Sequence, residues 1–138
     1  MRKKLFIATL ILLNICTSTA SVKLGILEKM QAVFECAGLA GEGFDFDKNG
    51  EDVRESLSSA LNIYKKTMPE EVLYSYKLSP DTLTTDFALT YQQIGVANAN
   101  ALISESLSKK GITDNGENHI REARHLWDAR RCNLIIRR

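Results

Sequence analysis

The stretch Ile26-Leu27-Glu28-Lys29-Met30-Gln31-Ala32-Val33-Phe34-Glu35-Cys36-Ala37 places Ile26, Leu27, Met30, Val33, Phe34 and Ala37 three and four residues apart. That spacing lays one apolar stripe along a helix, and Gly41 and Gly43 are expected to end it. Cys36 falls off the stripe, roughly 120° from its centre at 100° per residue. Cys132 falls roughly 150° from its own stripe, so a bridge between the two is expected at the flank of the helices, or with Cys132 past the end of its helix.

Downstream the same period returns. Val53, Leu57, Ala60, Leu61 and Tyr64 predict a second helix from about Asp52 to Thr67, with Glu51 and Asp52 at the positive end of its dipole. Pro69 stops it. Thr67 to Pro69 and Ser79 to Pro80 each read as a cap followed by a proline in the first helical turn, which sets off a short helix over Glu70 to Leu78. From Pro80 a long helix carries Leu83, Phe87, Tyr91, Ile94, Asn98 and Leu102 on one side, beside the small residues Ala88, Gly95 and Ala99. Gly111 fits a helix C-cap. The last helix shows Ile120, Ala123, Trp127, Arg131 and Leu134 on one face. No segment alternates apolar with polar residues in the manner of a strand. The expected fold is all-α, a small bundle of four to five helices.

Upstream, Arg2, Lys3 and Lys4 precede the apolar run Leu5 to Ile15, and Thr17, Ser18, Thr19 and Ala20 follow. This order of positive, apolar and small residues predicts a secretory signal peptide over 1–20, cut between Ala20 and Ser21, with a single helical domain over 21–138. The apolar run falls short of the roughly 20 residues of a spanning helix, and no other segment could span, so no stable membrane insertion is expected after the leader is removed. Cys16 follows Ile15 rather than a small residue, which does not suit a lipoprotein site.

Losing Arg2, Lys3 and Lys4 from 18 basic against 17 acidic residues leaves an acidic excess of two. So even a balance gives no long-range pull toward nucleic acid or anionic lipid. Two cysteines remain, Cys36 and Cys132, and an oxidising compartment favours their pairing over free thiols or a bridge between copies. Closing so long a loop would stabilise the fold by up to about 4 to 5 kcal/mol. Cys36 precedes an acidic stretch bearing Glu42, Asp45, Asp47, Glu51, Asp52 and Glu55. Cys132 lies within a tail carrying Arg121, Arg124, Arg130, Arg131, Arg137 and Arg138, so the bridge would bring opposite charges together.

Two motifs bear on chemistry. Asp45, Asp47, Asn49 and Gly50 match the first, third, fifth and sixth positions of an EF-hand loop, where alternate oxygen ligands and a glycine let the chain curl round calcium. The eighth and twelfth positions, Asp52 and Ser56, do not match, and a turn with helix-capping acids explains the same residues. His119, Glu122 and His125 spell a zinc-like pattern, but histidines six apart point about 120° from each other. Ion pairs of His119 with Glu122 and His125 with Asp128 are the expected use of that spacing. No residue is assigned to catalysis. In size, export and cysteine count the chain is similar in outline to small periplasmic immunity and accessory proteins. The expectation is a noncatalytic exported protein that binds an as yet unknown protein partner, the alternative being a weak calcium-binding module using Asp45, Asp47 and Asn49.

Overall fold

The computed structural model describes residues 25–137. The signal peptide over 1–20 and its cleavage point lie outside the described residues. Helix α1 covers 25–43, α2 Phe46–Thr67, α3 Glu70–Leu78 and α4 Pro80–Thr90. A π-helical segment, Tyr91–Val96, joins α4 without a break to α5, Ala97–Lys109, and α6, Gly116–Ala129, leads to the single turn α7, Cys132–Ile135. The fold is all-α, and the described residues contain no strand. Taken as one run, α4 to α5 joins α1, α2 and α6 as the long helices, with α3 and α7 as short additions.

Helix α1 sits at the centre. Leu27, Glu28, Lys29 and Gln31 are exposed, but every residue from Val33 to Ala40 is buried, so that stretch is enclosed on all sides rather than along one stripe. This explains its composition of small and apolar residues, since a helix enclosed on all sides has no solvent face to make polar. It also corrects the flank position expected for Cys36, which is 1% exposed and belongs to the core with Leu39, Ala99, Ile103 and Trp127. Of the two glycines expected to end the helix, Gly41 lies within it and Gly43 is its last residue. Gly43 lies against the backbone of Arg124, where an added methyl would meet the Arg124 nitrogen at 3.0 Å.

Close approach explains the small residues. A methyl group on Gly38 would overlap the Gly95 carbonyl oxygen and lie 2.9 Å from the Ala99 methyl, so α1 and the π segment cross with their backbones touching. Ala88, expected on the same line, is exposed instead. A line of residues spaced by four, Leu83, Phe87, Tyr91, Gly95, Ala99, Ile103 and Leu107, faces the core along this run, with Ile94 packed beside it. A step of four overshoots an α-helical turn by about 40°. The wider π turn takes up an extra residue and returns the stripe to α1.

Helix ends follow local rules. Gly111, at φ 65°, closes α5 with Ile112 N–H donating to the Leu107 carbonyl at 3.0 Å and Gly111 N–H to that of Ser108 at 3.0 Å, a Schellman arrangement. The Asn115 side chain caps α6 by accepting from Asn118 N–H at 2.9 Å. Thr67 does not cap α3; its hydroxyl donates back to the Tyr64 carbonyl at 2.6 Å, and Pro69 occupies the cap position.

At the end of α6 the stripe expected through Arg131 and Leu134 fails. Arg131 adopts a left-handed conformation (φ 53°, ψ 44°), turns the chain, and leaves both itself and Leu134 exposed. Cys132 is thereby swung inward, completely buried, and bonded to Cys36 across 96 positions with Cα atoms 5.4 Å apart. Ile136 follows it into the core.

Candidate functional site

An open, mostly polar groove of ≈ 770 Å³ runs where α1, α2 and the tail after α7 meet. Its base holds the buried Val33, Ile63 and Ile136, while Lys29, Glu51 and Lys66 stand exposed around it. Geometry follows from the bridge. Cys132 fixes the start of the tail, Ile136 is drawn inward, and Arg137 then reaches Glu55 on α2, its Nε donating to Oε2 at 3.1 Å. The groove thus presents both signs of charge on a frame closed by a disulfide.

The opposite charges of the acidic stretch and the basic tail meet at Glu55 and Arg137, while Arg124 and Arg130 hold α1 through other acceptors. Arg137 takes Glu55, Arg124 Nε donates to the Gly43 carbonyl, and Arg130 donates to Glu35 Oε2 at 2.8 Å. Glu35 is buried and also accepts from Gln31 at 2.9 Å, so Arg130 and Gln31 together satisfy a carboxylate on the central helix.

A second polar cluster joins Glu122 and His125 of the zinc-like pattern to Ser106 and Lys110, which the sequence did not single out, and locks α5 to α6. Glu122 is 6% exposed and accepts from Ser106 Oγ at 2.6 Å, while Lys110 Nζ lies 2.7 Å from each of its oxygens. Burial pushes the Glu122 carboxyl up, but Lys110 and Ser106, with His125 Nδ1 at 3.3 Å, outweigh it and hold the group below the usual carboxylate range. A carboxylate so held is a weak base toward the Ser106 hydroxyl. The groove is not lined by any of these four residues. Fusing the two helices is what the cluster does.

The histidines take partners other than those expected. His119 lies between Asp114, at 3.0 Å from Nδ1, and Glu42, at 3.5 Å from Nε2, joining α6 to α1; His125 rather than His119 meets Glu122. Among the described residues no three His, Cys, Asp or Glu side chains gather as a metal would require. At the calcium-like motif the backbone is helical from Phe46, broken only by the non-helical Asn49 (φ −123°, ψ 25°), and the Asp45 carbonyl accepts from Lys48 and Asn49 N–H. The Lys48 ammonium lies 3.7 Å from the Asp45 carboxylate. The Asp47 side chain lies outside the described residues. Ser56, at the twelfth position, is fully buried and donates to the Asp52 carbonyl at 2.7 Å.

The membrane reading has a coarse structural counterpart: among the described residues no helix is long and apolar enough to cross a membrane. No protein-family model matches this chain, and neither a curated protein nor a solved structure does so.

Proposed function

We propose that the chain acts after export as a noncatalytic module, of the accessory or inhibitory kind, that binds another protein through the groove between α1, α2 and the tail. The observation that carries this reading is the mixed-sign rim of Lys29, Glu51 and Lys66 over an apolar base, mounted on a frame that the disulfide closes. Charges of both signs on a rigid support steer and orient a polypeptide partner, and the buried Ile63 and Ile136 offer a contact for an apolar side chain. A stiff frame loses little freedom on association.

The test is affinity capture from the exported fraction with the oxidised protein as bait, beside a Lys29→Glu/Lys66→Glu variant. The wild type is expected to retain a reproducible protein partner that the variant loses, with unfolding curves unchanged because both lysines are exposed. Retention that ignores the double reversal removes the groove from the reading, and capture of nothing removes the reading. Mass spectrometry of the native product tests export itself, which predicts a chain starting at Ser21.

A further inference from the structure

Helix α3 is shallowly embedded. Only Tyr76 is buried, and its hydroxyl donates to Asp86 on α4 at 2.8 Å. Viewed down the helix, the face opposite Tyr76 is centred on Tyr74, with Glu70, Glu71, Lys77 and Leu78 all within about 60° of it. All five are exposed. Tyr74 retains 64% and Leu78 74% of their surface, more than other large apolar residues of the described chain. None of Glu70, Glu71 and Lys77 forms an ion pair with a described residue.

The order of these residues reads acid, aromatic, base, with Tyr74 at the middle. We infer that this face docks on the same face of a second copy, two α3 helices lying antiparallel about a twofold axis at Tyr74. Reversal of one helix about that axis places Lys77 at the height and flank of Glu70 in the second copy, and Leu78 beside the methylenes of its Glu71. The two tyrosines stack at the centre. Every contact then occurs twice, as a self-complementary interface demands. Antiparallel helix dipoles also attract, each acidic N-terminus meeting the basic C-terminus of the other. A foreign partner would not require the pattern to be symmetric about one residue; a second copy does. One nine-residue helix face is small, below the roughly 1,200 Å² at which stable interfaces begin, so the dimer is weak and forms at high local concentration. The groove of the proposed function is a separate surface and stays open.

Sedimentation velocity of the oxidised protein from roughly 1 µM to 1 mM tests the inference. The average mass is expected to climb toward that of a dimer. Glu70→Lys and Lys77→Glu should each weaken association by about tenfold or more, since each sets like charges against each other twice. An equimolar mixture of the two variants should recover the dimer, because only the mixed pair restores both ion pairs. Tyr74→Ala, which removes the central contact without a charge change, should also leave a monomer. A protein monomeric throughout, a dimer indifferent to the reversals, or a mixture without recovery each overturns the proposal. None of these results bears on partner capture through Lys29 and Lys66, so the two readings fail separately.

Discussion

Gly38 shows how one missing methyl group governs the packing. Replacement by alanine inside a helix would ordinarily gain about 1 kcal/mol of helical propensity. Here the new methyl overlaps the Gly95 carbonyl, a backbone atom that cannot swing aside, and overpacking of this kind costs about 1 to 3 kcal/mol. The clash wins. Gly38→Ala should therefore lower the midpoint of chemical denaturation, whereas Gly116→Ala, with nothing within 4 Å of the added methyl, should leave it unchanged or raise it. Glu122 supplies a second residue-scale expectation. Its folded carboxyl gives up its proton more readily than the same group in the unfolded chain. The stabilisation it brings is therefore complete above the unfolded value near pH 4.3 and drains away as the pH falls through the lower folded value. Glu122→Gln should destabilise the protein by about 1.5 to 3 kcal/mol at neutral pH, the range for hydrogen bonds to charged groups. Unfolding curves recorded across the acid range should show the variant losing less stability than the wild type.

Among the elements, the ones legible in the sequence were those with one wet side. In α2, Val53, Ala60 and Tyr64 are buried and Leu57 is half-buried, as a single stripe requires. Ile63 and Ser56 were missed there, the second a polar residue that enters the core by returning its hydroxyl to its own helix. Helix α1 was read as having one stripe throughout because its first two turns do have a wet side, with Glu28, Lys29 and Gln31 exposed, and the three-and-four spacing continues into the enclosed part. The signal against a stripe was the lack of polar residues from Val33 to Ala40, where Glu35 alone carries charge. Two further departures were hidden by the regular period. The π turn changes the residues per turn without any proline or glycine pair to announce it beyond Gly95. Arg131 is left-handed in a sequence that offers no glycine there, and a tertiary need to turn Cys132 inward overrides a cost of about 1 to 2 kcal/mol. Of the candidate groove, the acidic stretch and the arginine tail were visible, but not the fold that sets Arg137 on Glu55 beside Lys29 and Lys66. Those residues come from three separate parts of the chain.

For the whole molecule, the bridge between Cys36 and Cys132 ties the central helix to the last turn. Replacing both cysteines by alanine should cost about 2 to 5 kcal/mol, more loss than either helix terminus alone could cause. Denaturation with and without a reducing agent measures it, the double variant being indifferent to the reductant while the wild type drops toward it. The same separation of 96 residues sets an order of events during synthesis. At about 5 to 20 residues per second, Cys36 is added to the chain roughly 5 to 20 s before its mate. During that interval α2 to α5 become available to the central helix one after another, but its covalent tie to the last turn cannot form. The oxidised fold is therefore completed last, by a bond that closes a frame whose other helices already exist.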